Sequence, residues 1–211
     1  MPMKNNREYR NMVLNIETRA DGDEPETMVV SGYASTFETP YTLYEDDVII
    51  LREVVDKDAF EGTDMSDVIF QYNHEGRVIA RNSNNTLSVT PDEKGLFIKA
   101  DLSGTELGRE LYEEIRGGYT DKMSFGFTID RIERTRTDLE DGRIDFLNRI
   151  LRVSKLYDVS AVSIPANDGT SISVETRNQI NGVIEEVRAE RLNRAKLELK
   201  KQFLRGVINN D

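Results

Sequence analysis

Apolar and polar residues alternate in short runs along most of the chain. Met12, Leu14 and Ile16 occupy every second position, and the run from Met28 to Phe37 is β-branched and aromatic. Alternation with a period of two is typical of half-buried strands. Polar turns such as Asp21-Gly-Asp-Glu-Pro25 separate the runs. Short strands with turns at this spacing predict an antiparallel sheet closed into a barrel or sandwich.

Two stretches have the period of a helix instead. The first follows Ser103-Gly-Thr-Glu106, where a serine and a glutamate three residues later can cap the first turn reciprocally. The second extends from about Asn178 to Arg205, where apolar residues recur at helical spacing among Glu, Arg and Lys. We therefore expect a mainly β fold with flanking helices, of the α+β class. A short helix is also expected at Asp56-Lys-Asp-Ala-Phe60, with Asp56 as its cap.

This pattern divides the chain into a β domain, residues 1–177, and a C-terminal helical extension, residues 178–211. The pattern leaves open whether the extension packs on its own domain or contacts a partner or a second copy of the chain. The first ten residues are polar, so we expect them to be frayed.

Composition narrows the classes of function. The chain has 211 residues, of which 37% are hydrophobic and 32% charged, as expected for one soluble globular domain with an appendage. It has no apolar run of the roughly 20 residues that span a bilayer and begins without the apolar core of a signal peptide. We therefore expect an intracellular protein without a membrane partner. The formal net charge of -11 argues against a nucleic-acid partner.

Cysteine and histidine are scarce, which limits the available chemistry. The chain has no cysteine, so disulfides, thiolate nucleophiles and sulfur-ligated metals are excluded. Its single histidine argues against a zinc enzyme. A magnesium site built from carboxylates remains open, with Glu45, Asp46 and Asp47 as candidates for a metal hydrolase.

A serine nucleophile remains, and one histidine and one aspartate could serve as its base and as the acceptor that orients the base. Ser124 interrupts the apolar strand Lys122-Met-Ser-Phe-Gly-Phe127, and His74 follows the strand Val68 to Tyr72. A serine needs a base to remove its proton as it attacks a carbonyl, and the base needs an acceptor to orient its ring. Asp158 is the candidate acceptor. Spacing alone yields a hydrolase as a hypothesis and no more.

Three blocks in this order resemble the prohead serine proteases of tailed bacteriophages. They are Phe70-Gln-Tyr-Asn-His-Glu-Gly76, Lys122-Met-Ser-Phe-Gly-Phe127 and Leu156-Tyr-Asp-Val-Ser-Ala-Val-Ser-Ile-Pro-Ala-Asn167. The resemblance extends from about Met12 to Arg177. That family is similar in fold to the herpesvirus assemblins, which implies a closed antiparallel β-barrel with flanking helices.

Carried over residue by residue, the resemblance implies His74 as general base, Ser124 as nucleophile and Asp158 as third catalytic member. The family often has glutamate at the third position, so Asp158 departs from the pattern. Asn167 falls where an oxyanion-stabilising group could come from. Ser160 and Ser163 are the competing serines, and neither matches the nucleophile block of the family.

The implied activity is a serine endopeptidase that needs no cofactor or metal. Its substrates would be the scaffold protein, the scaffolding segment of the capsid protein, or both, and also the protease itself, during procapsid maturation. The implied place is the interior of the procapsid in the host cytoplasm, and the dimeric assemblins suggest a homodimer. The rival hypothesis is a non-enzymatic β-barrel assembly or scaffold factor with a degenerate site.

Overall fold

Strands dominate the molecule, as the alternating pattern predicts. The computed structural model describes residues 7–12, 17–18, 28–163 and 174–208. Within these ranges it contains the strands β1 (Glu8–Met12), β2 (Glu17–Thr18), β3 (Val29–Thr36), β4 (Tyr41–Glu45), β5 (Ile49–Val55), β6 (Ile69–Tyr72), β7 (Glu75–Arg81), β8 (Leu87–Pro91), β9 (Gly95–Asp101), β10 (Lys122–Asp138) and β11 (Ile144–Val162), and the helices α1 (Glu106–Arg116) and α2 (Val174–Ile208). The mainly β, α+β class is confirmed.

The strands form two sheets. The larger has the order β1-β10-β11-β5-β4, with β6 pairing with β11 and β7 pairing with β6, and the smaller has the order β2-β3-β9-β8. Neither sheet closes on itself within the described residues, so the predicted closed barrel is not confirmed. The chain separates into two compact units, Met1–Ser173 and Val174–Asp211. The assignment of residues 1–177 and 178–211 as distinct domains stays a prediction.

The antiparallel pair β10 and β11 forms the centre of the larger sheet. β1 runs antiparallel along the other side of β10. β5 and β6 both run parallel to β11, and each pairs with a different stretch of it. Register shifts interrupt the β10–β11 ladder between Gly126 and Ile132. These irregularities divide the pair into two halves. We call the half that contains Lys122 the lower half and the half that contains Asp138 the upper half.

The core lies beneath the lower half of this pair. Phe125 and Phe127 are fully buried, and their rings stack with centroids 4.5 Å apart. Helix α1 contributes Leu111, Tyr112 and Ile115 to the same cluster. Burying aromatic side chains of this size contributes a large share of the apolar area removed from water. Phe125 and Phe127 alternate with Ser124 along β10, so they anchor the face of the strand opposite the one on which Ser124 lies.

Three local predictions are wrong. Glu8–Met12 is a strand paired with β10, so part of the N-terminal segment is ordered by pairing and is not frayed. The residues after Asp56 form hydrogen-bonded turns instead of a helix. The cap of α1 is Thr105, whose side chain accepts a hydrogen bond from the backbone N–H of Gly108 at 2.9 Å, and not Ser103.

Helix α2 forms the second unit. Its exposed side chains form ion pairs one turn apart, such as Arg194 with Glu190 at 2.6 Å, which suit an exposed helix. Leu192, Leu199 and Phe203 are also exposed. No helix in the part of the chain that the structure describes is long and apolar enough to cross a membrane.

Candidate active site

Strands β10 and β11 place two of the predicted site residues on one face. Ser124 pairs with Ser160, and Gly126 pairs with Asp158. Because side chains two positions apart point to the same face of a strand, Ser124 and Asp158 project to the same side. Both residues are fully buried. A buried hydroxyl and a buried carboxylate are costly unless they have hydrogen-bond partners.

A tight turn supplies the histidine. Tyr72 pairs with Glu75 across the β6–β7 hairpin, which leaves Asn73 and His74 as its two-residue loop. Both have positive φ angles, 49° and 60°, as a type I′ hairpin turn requires. The backbone N–H of Asn73 donates to the carbonyl oxygen of Ala161 at 3.0 Å, so the turn is tied to the end of β11. His74 is thus held in a conformation that non-glycine residues seldom adopt, a form of strain that clusters at functional sites.

The three predicted catalytic residues form one chain of contacts. His74 Nε2 lies 2.6 Å from Ser124 Oγ, and His74 Nδ1 contacts Asp158 Oδ2. The His74 side chain retains 15% exposure, whereas that of Asp158 retains 1%. With Nδ1–H donating to the carboxylate, Nε2 is free to accept the serine proton. This is the arrangement of a nucleophile, its base and the group that orients the base.

Further contacts hold the Asp158 carboxylate in place. Arg7 donates to Oδ1, and Ser160 donates to Oδ2 at 3.2 Å. A Cβ atom on Gly126 would lie 2.3 Å from Oδ1, so the carboxylate needs a glycine opposite it. Sequence reasoning missed Arg7 and the role of Gly126. The signal for Gly126 was its place two residues after Ser124.

Residues 7–10 lie directly over these side chains. The rings of Tyr9 and His74 have centroids 4.4 Å apart, and burial raises the pKa of the Tyr9 hydroxyl. The guanidinium of Arg7 lies 4.5 Å from the ring centroid of Tyr157. Ser124 Oγ also lies 2.9 Å from the backbone carbonyl oxygen of Arg10. None of these contacts was expected, because the polar composition of the first ten residues predicted a frayed terminus.

The competing serines have other surroundings. Ser160 contacts Asp158 as described, whereas the Ser163 hydroxyl lies 2.6 Å from the Tyr72 hydroxyl and 3.3 Å from that of Thr120. The imidazole nitrogens of His74 contact Asp158 and Ser124 instead. Asn167, the candidate oxyanion-stabilising residue, lies outside the described residues.

Two of the three acidic residues proposed for a metal site, Glu45 and Asp46, bind other groups of the protein. Asp46 accepts hydrogen bonds from the backbone N–H groups of Val48 and Ile49 at 2.8 and 2.7 Å, and Glu45 pairs with Arg143 at 2.6 Å. Among the described residues, no group of three or more His, Cys, Asp or Glu side chains could hold a metal ion.

Comparison with known proteins gives one match. A family model described as Caudovirus prohead serine protease matches residues 14–183. No curated protein and no solved structure matches the chain. The matched range contains His74, Ser124 and Asp158, and residues 7–10 precede it.

Proposed function

The chain belongs to the caudovirus prohead serine protease family, and from this premise we propose that it is a serine endopeptidase with Ser124, His74 and Asp158 as its catalytic triad. The observation that carries the proposal is the continuous contact from Ser124 Oγ through both ring nitrogens of His74 to Asp158. A fully buried carboxylate and a strained turn histidine have little reason to meet at a serine unless the three act together.

The chemistry follows from these positions. Ser124 Oγ attacks the carbonyl carbon of the scissile bond while His74 Nε2 takes the hydroxyl proton. The Asp158 carboxylate stabilises the imidazolium that forms. The same proton then goes to the leaving amine. In the second step His74 takes a proton from water, the water attacks the acyl-enzyme, and His74 returns the proton to Ser124 Oγ. Asn167, or a backbone N–H near it, is our candidate for stabilising the oxyanion.

The proposed substrates are the scaffold protein and the scaffolding segment of the capsid protein, cut inside the procapsid in the host cytoplasm. We also propose that the protease cuts itself and acts as a homodimer. The exposed apolar residues Leu192, Leu199 and Phe203 of α2 support a contact with scaffold or with a second copy, because an amphipathic helix can bind in a partner's groove. Residues 178–211 are also a candidate for removal by self-cleavage.

A non-enzymatic assembly factor is the second candidate. The observation that favours it is the complete burial of Ser124 beneath the N-terminal strand, since a nucleophile must meet its substrate. This candidate predicts that the chain supports assembly without cutting any protein.

The test is co-expression of the chain with the capsid and scaffold proteins, with product masses as the readout. We compare the wild type with Ser124→Ala and His74→Ala. The matched control is Ser154→Ala, which removes an exposed hydroxyl from β11, where Ser154 Oγ donates to the carbonyl oxygen of Thr128 at 3.2 Å.

Cleavage by the wild type and the control, and none by the two triad variants, is the expected result. Folding of each variant is checked by circular dichroism. Undiminished cleavage by folded Ser124→Ala would reject the nucleophile assignment. Normal assembly without any cleavage by the wild type would favour the assembly factor.

A further inference from the structure

Strand β1 is an extended segment paired with the edge of β10, beside the candidate nucleophile. It runs antiparallel along the free edge of β10, with Asn11 opposite Ser124 and Arg10 opposite Phe125. An extended peptide that adds to a sheet edge gains affinity from main-chain hydrogen bonds and specificity from pockets for its side chains. The carbonyl oxygen of Arg10 lies 2.9 Å from Ser124 Oγ. This contact is a hydrogen bond from the serine hydroxyl, and it places the peptide bond between Arg10 and Asn11 beside the candidate nucleophile.

Tyr9 contacts His74 on one face of β1. The side chain of Arg10 lies on the other face, in a buried acidic pocket. Its Nε and Nη2 atoms contact the two carboxylate oxygens of Glu53, the second pair at 2.9 Å, and Nη2 also pairs with Glu8 of β1 itself. The guanidinium lies 5.6 Å from the ring centroid of Phe127. The hydroxyl of Tyr41 donates to the same carboxylate. Arg10 is 2% exposed and Glu53 is fully buried.

The electrostatics of this pocket favour a cation. Burial by itself lowers the pKa of the Arg10 guanidinium, but the charge and hydrogen bonds of Glu53 outweigh burial and raise that pKa above its usual value. Burial and Glu53 also raise the pKa of Tyr41 well above its usual value, so the hydroxyl keeps the proton that it donates. A buried carboxylate without a cation would be strongly destabilised, and its two oxygens match the planar fork of arginine.

We propose that Glu53 and Tyr41 form the specificity pocket for a basic side chain immediately before the scissile bond, and that Arg10–Asn11 is the enzyme's own first cleavage site. The inference rests on the proposed protease function and names its substrate class: extended segments with arginine, or less favourably lysine, before the cut. It also explains the burial of Ser124, because β1 covers the site until it is cut.

Cleavage of the Arg10–Asn11 bond takes two steps, acylation of Ser124 and hydrolysis of the ester. Ser124 Oγ bonds to the carbonyl carbon of Arg10, the bond to the Asn11 nitrogen breaks, and the serine proton passes through His74 to that nitrogen. Water then hydrolyses the ester. The products are residues 1–10 with a terminal carboxylate and residues 11–211 with a free amino group, and Ser124 regains its proton.

The first experiment maps every new terminus by mass spectrometry after co-expression of the full-length chain with capsid and scaffold proteins. We expect a chain that begins at Asn11, and cuts in the other proteins that follow arginine or lysine, all absent with Ser124→Ala. Ser124-dependent cuts that follow neutral or acidic residues, with the Arg10–Asn11 bond intact, would overturn this inference and leave the protease function standing. The absence of any Ser124-dependent cut would reject the proposed function itself.

The second experiment tests the pocket with a ratio of rates. Two synthetic peptides copy residues 4–16, one with arginine at position 10 and one with glutamine, and cleavage is measured at the bond after that position. Because both peptides meet the same active molecules, a misfolded fraction cancels from the ratio. The wild type should prefer arginine, and Glu53→Gln should reduce that preference about tenfold or more, as expected for a lost charged partner.

The matched control is Glu45→Gln, which removes an exposed carboxylate from neighbouring β4 that pairs with Arg143. It should keep the preference of the wild type. An unchanged preference in Glu53→Gln would show that another group reads the basic residue and would overturn the pocket assignment.

Discussion

The two halves of the β10–β11 pair share one hydrogen-bond ladder, but β10 is buried in the lower half and exposed in the upper half. In the lower half, Met123 to Phe127 are all buried, and the polar side chains there contact one another. In the upper half, β10 from Asp130 to Asp138 is exposed and mostly charged. Arg136, for example, bonds to Asp138 two residues away at 3.0 Å.

The contrast indicates which polar side chains are tied to function. A charge on the exposed half is solvated and gains little from its partner, so many side chains would serve equally well there. A buried serine, carboxylate or glycine has few acceptable replacements, because each needs a particular partner or a particular space. Substitutions in the lower half should therefore change chemistry, and those in the upper half should not.

The largest effect is expected for Asp158→Asn. The amide keeps the size of the side chain but cannot stabilise a charged His74 or hold its ring in the reactive tautomer. The cleavage rate should fall about 10³- to 10⁴-fold. The measurement is the rate of cleavage of co-expressed capsid protein, with thermal unfolding as the check on folding. A loss smaller than about tenfold in a folded variant would mean that another group orients His74.

Gly126→Ala should have the next largest effect. Its Cβ atom would lie 2.3 Å from Asp158 Oδ1, so the carboxylate must move away from its present contact with His74. We expect a loss of activity of about 10²-fold, since small displacements of catalytic groups have large effects.

Gly142→Ala is the matched control in the turn that joins β10 and β11. Its φ angle of 84° is costly for alanine, so the variant should lose about 1 kcal/mol of unfolding free energy and keep full activity. Equal activity losses in the two glycine variants would mean that strain, and not contact with Asp158, explains the effect at Gly126.

Ser160→Ala should have a moderate effect. It removes one hydrogen bond, of 3.2 Å, to Asp158, while Arg7 and His74 still contact the carboxylate. A cleavage rate about three- to tenfold lower and a stability loss of about 1 kcal/mol are expected. Complete loss of activity in a folded protein would instead make Ser160 a competing nucleophile.

Arg136→Gln should have the smallest effect. The side chain lies on the exposed half of β10 and pairs with exposed Asp138. Stability should change by less than about 0.5 kcal/mol, with no change in the cleavage rate. A clear loss of cleavage would show that the upper half contacts the substrate or a partner and would remove the contrast between the two halves.

Local patterns in the sequence predicted the elements of the fold but not the contacts between distant residues. Periodicity identified most strands and both helices, because it reflects which face of an element is buried. The three candidate residues could be proposed because Ser124 and His74 lie within a strand and at a strand end, in blocks that resemble a known family. Their mutual contacts depend on pairings across 50 and 84 positions, which no local pattern encodes.

The N-terminal contacts could not be predicted for a similar reason. Arg7, Tyr9 and Arg10 lie in a polar stretch whose composition is typical of a frayed terminus. Arg10 is ordered by Glu53, which is 43 positions away, and neither residue signals the other locally. The sequence favoured Ser103 as the cap of α1 because serine and threonine can both cap a helix, whereas the helix begins at Glu106 with Thr105 as its cap.

The most direct test is chemical labelling of the nucleophile. A preparation that cleaves co-expressed capsid protein is treated with a fluorophosphonate, which reacts with activated serines, and the modified peptide is identified by mass spectrometry. We expect an adduct on Ser124 that is lost in His74→Ala and retained in Ser154→Ala. An adduct on Ser160 or Ser163 with Ser124 unmodified, or full cleavage activity in the presence of a saturating label on Ser124, would contradict it.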